Sequence, residues 1–280
     1  MSTLIIDGQN FLHRARCGMN LGEYSVIFNF FRNLRCLVEQ FQKSDQINRV
    51  IFVLEGHPKF RYDLLDSYKA NRKSEVGSDK NNAMIDFHRQ TKMVIDLLQY
   101  FPISVMRHPN FECDDVIFNI IDNAAKSTNF IVASNDSDFI QLLQKFENVK
   151  LYNPMTKTLI TSGPTYDYVS WKALRGDGSD NVPGIPGIGD KRAQALIENV
   201  DKLEELFRSD PEKAVIFNRN HKLIEFAKFN DEELMQVTSS SSEHNWQHVS
   251  SMFDSWKFNS ILKTFWTKFT PTFDKLWVTE

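Results

Sequence analysis

Acidic residues recur in this sequence at spacings suited to holding cations: Glu112-Cys113-Asp114-Asp115, Asp136-Ser137-Asp138 and Asp177-Gly178-Ser179-Asp180, with Asp7 and Glu55 each closing an apolar run. Glu112 and Asp115, three residues apart, share one helix face and Asp114 lies beside them, so a single turn offers three oxygen ligands. Gathered in a low-dielectric site, these nine carboxylates repel one another unless cations hold them. Ligation by oxygen alone selects magnesium or manganese, and two such ions, roughly 3.5–4 Å apart, clamp the attacking and leaving oxygens of a phosphoryl group. The chemistry indicated is hydrolysis of a phosphodiester. A calcium loop is excluded, because neither of the two later acidic motifs continues with the glycine and terminal glutamate that such a loop needs. One acid at a strand end or helix start is ordinarily a cap or a solvated group; the inference rests on their joint placement.

Cations and aromatics follow Glu55 directly, as Phe60-Arg61-Tyr62 and then Tyr68-Lys69-Ala70-Asn71-Arg72-Lys73. Such interleaving neutralises a phosphate while stacking a displaced base, and it places Arg61, Lys69, Arg72 and Lys73 as nucleic-acid contacts at the rim of the acids. A second contact is expected from Pro183-Gly184-Ile185-Pro186-Gly187-Ile188-Gly189-Asp190-Lys191-Arg192. Gly184, Gly187 and Gly189 let backbone amides approach a phosphate, while a helix start at Asp190 adds its dipole and the charges of Lys191 and Arg192. This is a helix-hairpin-helix pattern, a grip on duplex backbone that reads no sequence. His244 and His248 have the spacing of a zinc pair but no third ligand nearby, and read as surface residues. Neither a Gly-x-x-x-x-Gly-Lys-Ser/Thr loop nor a Gly-x-Ser-x-Gly elbow occurs, so ATP hydrolysis and serine chemistry have no support.

The acids must be positioned by a scaffold, and 280 residues at 41% hydrophobic suffice for one α/β core with a smaller helical region. Strands are predicted over 3–7, 49–54, 103–106, 130–134 and 149–152. Helices are predicted over 24–41, around 94–98, over 113–125 and over 138–144. That alternation means a parallel sheet, whose carboxyl ends would bring Asp7, Glu55, Asp136 and Asp138 together. The polar stretch 73–82 reads as mobile. Past Gly163 the pattern turns helical, which divides the chain into an α/β domain (1–165, with an arch segment about 68–92) and a helical lobe (166–280). The lobe would contain the hairpin, about 176–199, and the C-terminal helices. The serines at 239–242 read as a surface loop, and the Phe- and Trp-rich end is expected to pack back on the core. Cys17, Cys36 and Cys113, odd in number and in segments that read as core or cleft edge, suggest a reducing, cytoplasmic setting (the host cytoplasm if viral). No secretory signal or membrane-length apolar stretch is evident. The formal charge of −3 becomes +6 once the nine clustered acids are discounted, which suits a phosphate-binding surface around an acidic pocket.

Taken in order, Ile6-Asp7-Gly8, Tyr68-Lys69-Ala70-Asn71-Arg72, Glu112-Cys113-Asp114-Asp115, Ser134-Asn135-Asp136-Ser137-Asp138 and Gly176-Asp177-Gly178-Ser179-Asp180-Asn181-Val182-Pro183-Gly184 resemble the flap endonuclease and 5′-3′ exonuclease family over residues 3–200. Asn153-Pro154-Met155-Thr156-Lys157 and Leu223-Ile224-Glu225-Phe226 are similar to its bacteriophage branch, which includes replication ribonuclease H enzymes, in free-standing form. The resemblance implies a PIN-like α/β domain, a helical arch over the site, and a helix-hairpin-helix lobe on the downstream duplex. It implies removal of RNA primers and 5′ flaps in replication, with two Mg2+ or Mn2+ ions and a K+ at the hairpin. Asp7, Glu112, Asp114, Asp136 and Asp138 match the metal-cluster acids, and Asp115, Asp177 and Asp180 those of the second metal or its surroundings. Lys69 and Arg72 match the arch-base cations. Tyr68 is the aromatic expected to stack on the nucleotide, and these three with Asp136 are the residues expected to act on the reacting phosphate. The implied partners are branched or 5′-ended duplex DNA, RNA–DNA hybrid, and a replication single-strand-binding protein or clamp, engaged by a monomer away from membranes. Glu55 stands where the family has aspartate, Cys113 where it commonly has alanine, and 73–82 is short for a closed arch, which implies an open clamp until substrate binds. Two alternatives remain: a binding relative that has lost catalysis, and a PIN-type ribonuclease on single-stranded RNA, which would share the acids but not the hairpin.

Overall fold

The computed structural model describes residues 2–72, 78–240 and 242–277. Lys73 and the first half of the polar stretch expected to be mobile lie outside the described residues. The chain begins β1 (Ser2–Asp7), α1 (Gly8–Arg16), α2 (Ser25–Ser44), β2 (Ile47–Leu54), α3 (Lys59–Leu64), α4 (Ser78–Leu98), β3 (Ser104–Arg107) and α5 (Cys113–Asp122). It continues β4 (Asn129–Ala133), α6 (Ile140–Lys145), β5 (Val149–Asn153) and β6 (Thr158–Ile160). A helical lobe follows: α7 (Tyr168–Arg175), the short strands β7 (Gly176–Asp177) and β8 (Val182–Pro183), α8 (Asp190–Ile197), α9 (Val200–Ser209) and α10 (Pro211–Ile224). The end of the chain contributes α11 (Asp231–Met235), β9 (Thr238–Ser239), α12 (Trp246–Ser255), α13 (Asn259–Leu262) and α14 (Thr270–Asp274).

The main sheet has the order β6-β5-β4-β1-β2-β3-β9, with five parallel strands inside and an antiparallel strand at each edge. Central β1 reads as a continuous apolar run because both faces are covered. Leu4 and Ile6 point into one layer with α2, and Ile5 into the other with α5, opposite Ile51 and Val132 on its neighbours. The register sets Asp7 of β1 beside Val53 of β2, so the strands end together and the acids that follow them share one edge. Helix α1 starts with no connecting loop, because Asp7 ends the strand and also caps the helix, accepting from Asn10 N at 3.0 Å. Gly8 makes that turn possible: a Cβ there would lie 2.4 Å from the Val53 carbonyl oxygen.

Three expectations need correcting. The serines around 240 do not form a free loop: β9 pairs with β3, and Ser240 N donates to Val105 O at 2.9 Å, covering an edge that would otherwise leave backbone groups unpaired. The C-terminal helices do not join the core of the helical lobe. Trp246, Phe253, Phe269 and Phe273 pack around Phe31 and Phe101 beneath α2, so both ends of the chain build the sheet lobe. The helical lobe has its own small core of Leu174, Ile185, Ile188, Ala193 and Leu196. Cys17 and Cys36 are exposed, and Cys113 alone of the three is buried. No helix among the described residues is long and apolar enough to cross a membrane.

Candidate metal centre

At the carboxyl edge of the sheet, a cleft of about 660 Å3 is lined by Asp7, Glu55, Glu112, Asp114 and Asp136, with Lys69, Arg72, His13, Phe87 and His88 on its other walls. Each acid is held by its own element. The second oxygen of Asp7 accepts from Ser134 Oγ at 2.7 Å, a contact across adjacent strand ends that no sequence motif announced. Glu55, one residue past β2, accepts from the Cys113 amide at 3.1 Å and so joins the start of α5. Asp136 folds its loop by accepting from Asp138 N at 2.9 Å. Carboxylate oxygens of Glu112, Asp114 and Asp115 lie within 4.8 Å of one another.

The electrostatics divide the acids. Burial pushes Asp7 up, and burial followed by the charges of Asp115 and Glu112 pushes Asp114 well above the usual carboxylate range. Glu55 is pushed up to about 7 by burial and then by Glu112. The protein packed around Asp136 raises it too, with the charge of Asp7 adding. Glu112 behaves oppositely: burial works against its charge, but Arg61 and Lys69 hold it below the ordinary glutamate value. An all-oxygen donor set with more negative charge than the surrounding protein compensates fits a hard divalent ion.

Several cations expected to meet nucleic acid are spent inside this site. Arg61 is 1% exposed, and its guanidinium reaches both oxygens of Asp115 at 2.5 and 2.8 Å and the Leu223 carbonyl at 2.9 Å. A side chain enclosed this way has no face for a phosphate, so Arg61 is not a DNA contact. Asp115 is fully buried, and each of its oxygens already accepts two donors: Arg61 with the Glu112 amide, and Arg61 with the Ala227 amide. Through these contacts it fixes the start of α5. Tyr68, expected to stack on a base, is 3% exposed among Val182 and Leu223. Its hydroxyl lies 2.9 Å from Glu112 Oε2 and 3.1 Å from Asp180 Oδ2, so it orients acids and offers no ring face. Lys69 Nζ meets Glu112 Oε1 at 2.5 Å, and Arg72 pairs with Asp180. Asn71 Nδ2 donates to Gly178 O at 2.8 Å and the Lys69 amide to Asp180 O at 2.8 Å, which docks the whole loop on the helical lobe.

Asp138 and Asp177 share a partner that the sequence did not reveal. Lys172 projects from the otherwise apolar buried face of α7, between Tyr168, Val169 and Ala173, and its Nζ contacts Asp138 Oδ1 and, at 2.7 Å, Asp177 Oδ2. A lysine on a buried helix face was the available signal. Burial, with Asp136 adding and Lys172 opposing, leaves Asp138 at about 6. In the hairpin, Gly184 serves packing and not ligand approach, since a Cβ there would lie 2.1 Å from the Arg175 carbonyl oxygen. Gly187, at φ +79°, and Gly189, the N-cap of α8, are exposed together with Lys191 and Arg192, anchored by buried Ile185 and Ile188.

Residues 2–169 match the 5′-3′ exonuclease N-terminal resolvase-like domain, and residues 164–237 match the 5′-3′ exonuclease C-terminal SAM fold. Thermostable DNA polymerase I of Thermus thermophilus is 29% identical over 217 residues, covering 73% of this chain and 25% of that one. The 5′-3′ exonuclease of Buchnera aphidicola is 26% identical over 243 residues and 82% of each chain. This chain spans about a quarter of the length of the polymerases it matches. Among solved structures, a pseudo-enzyme–product complex of the bacteriophage T5 flap endonuclease with DNA and metal ions superposes with a TM-score of 0.63 at 21% identity, covering 80% of this chain and 89% of that one. The T5 5′-exonuclease with bound zinc gives 0.62 at 21% identity, covering 80% and 86%. These two likenesses concern the fold.

Proposed function

The chain belongs to the 5′-3′ exonuclease family, and from that premise we propose that it is a divalent-metal-dependent 5′ nuclease acting on branched or 5′-ended duplex DNA and RNA–DNA hybrid in replication and repair. It would leave a 5′-phosphate and a 3′-hydroxyl, with RNA primers and 5′ flaps as its substrates. The observation that carries the reading is the convergence of Asp7, Glu55, Glu112, Asp114 and Asp136, from separate segments of the chain, on one cleft where burial raises four of the five, with neighbouring carboxylates adding for Glu55, Asp114 and Asp136.

Asp7, Glu112, Asp114 and Asp136, with Glu55, would hold Mg2+ or Mn2+. Such ions supply an activated water and neutralise charge on the phosphate and the departing oxygen. The remaining work falls to the chain itself. Arg61, through Asp115, fixes the start of α5 and the aim of Glu112, while Tyr68 presents its hydroxyl to the same carboxylate. Ser134 orients Asp7. Lys69 and Arg72, paired with acids at the cleft wall, are within reach of a phosphate entering it and would stabilise charge there. The exposed amides of the hairpin, with Lys191 and Arg192, would grip duplex backbone and so favour duplex-bearing substrates over single-stranded RNA.

A labelled 5′-flap duplex tests this directly. We expect cleavage with Mg2+, none with EDTA, and none by Asp136→Asn at saturating metal. Comparing flap, nicked duplex, hybrid and single strand ranks the substrates; undiminished cutting in EDTA ends the reading.

A further inference from the structure

Asp138 and Asp177, which share a small pocket with Glu112, Asp114 and Asp180 beside the cleft, have a lysine ammonium between them. Lys172 Nζ contacts Asp138 Oδ1 and lies 2.7 Å from Asp177 Oδ2, and the lysine and Asp177 are each 5% exposed. The ammonium occupies the space in which an ion bridging these two carboxylates would sit, and a hard divalent ion cannot share it at contact distances with a fixed positive charge. Asp177 Oδ1 is also taken, by the amide and hydroxyl of Ser179 at 2.9 and 2.6 Å. Asp180 is occupied by Arg72, Lys69 and the Tyr68 hydroxyl. Among the described residues, no lysine or arginine is bound in this way to the Asp7, Glu55, Asp114 and Asp136 side.

We propose that Lys172 is a built-in counter-ion that closes the Asp138–Asp177 position. The substrate-free protein then takes up one divalent ion, on the Asp7–Asp114–Asp136 side, and a second enters only when Lys172 has left the pair. This rests on the metal-dependent reading above. It adds an order of events: the helical lobe, through α7, controls access to the second position. An arriving phosphate supplies the alternative anion for the ammonium, so ion entry is coupled to substrate entry.

The test is to count Mn2+ bound to the substrate-free protein by electron paramagnetic resonance. Wild type should bind one ion. Lys172→Met, of similar volume but uncharged, should bind two, the second at least about tenfold more tightly than any second ion on wild type. Lys172→Arg should stay at one. Should Lys172→Met fold poorly, Asp177→Asn in the wild-type background decides: with the pair closed it leaves the ion count at one. Two ions on wild type, one of which Asp177→Asn removes, would overturn the proposal, as would a Lys172→Met protein that gains none. Binding of no Mn2+ by wild type would instead strike the metal-dependent reading itself.

Discussion

Two stretches of this chain look alike in sequence and end in opposite places. Phe60 to Arg72 and Pro183 to Arg192 each carry cations where a phosphate-binding surface is expected, yet the first is folded into the acid cluster and the second stays outside. In the first, Arg61, Tyr68 and Lys69 satisfy buried carboxylates. In the second, Lys191 and Arg192 are exposed beyond the hairpin glycines, and only isoleucines are buried. The difference teaches that a cation's use depends on whether acids elsewhere need it. Interior stability and substrate binding should therefore separate cleanly between the two stretches.

The largest effect belongs to Arg61. Arg61→Ala strands Asp115 as a buried, uncompensated charge and removes the link to the Leu223 carbonyl, which should cost about 3–5 kcal/mol in urea unfolding. A loss below about 1 kcal/mol would mean the guanidinium is not an interior group and would erase the contrast. Lys69→Ala comes next, on rate. It should slow flap cleavage by roughly 10²–10³-fold at saturating metal while duplex affinity changes little, because Lys69 faces the acids and the duplex grip is proposed for the hairpin. Cleavage at the normal rate would remove Lys69 from the reaction.

What the sequence showed follows the same line. Asp7, Glu112 and Asp136 were legible because each borders an apolar run whose strand or helix fixes its position whatever lies around it. Arg61 and Tyr68 were misassigned because aromatic-cation alternation is the same string on a nucleic-acid surface and around a buried ion pair. Only the partner, Asp115, 54 residues away, distinguishes them. β9 has two residues and no pattern of its own, and Lys172 gave only the weak signal of charge on an apolar helix face.

Glu55 gives a smaller effect, and one with a definite sign. Arg61 and Lys69 hold Glu112 down, while Glu55 stays raised from 4.5 to about 7. A carboxyl raised on folding contributes stability that is complete below its unfolded value and is lost as pH rises through the folded one. The metal-free protein should thus lose on the order of 3 kcal/mol between pH 4.5 and 7.5 from this group. Glu55→Gln should flatten that decline and be the more stable protein at pH 8, until Mg2+ restores the wild type. Thermal unfolding against pH, with and without Mg2+, reads this out. An unchanged slope in the variant would show that Glu55 is not strained by its neighbours.

The smallest effects are expected in the hairpin, and they complete the contrast. Lys191 and Arg192 sit in the first turn of α8, exposed; Arg192 donates to the Gly187 carbonyl at 3.2 Å, and Lys191 makes no ion pair among the described residues. Nothing in the interior depends on Lys191, so Lys191→Ala should unfold within about 0.5 kcal/mol of wild type. The role proposed for it is to displace counterions from the duplex, which makes salt dependence the sensitive readout. The slope of log affinity against log salt should fall by about 1, uniformly across sequences, with the single-turnover rate on bound substrate unchanged. A Lys191→Ala protein that binds duplex with the wild-type salt slope would place the grip elsewhere. A variant that instead loses stability as Arg61→Ala does would mean that both basic stretches are interior after all.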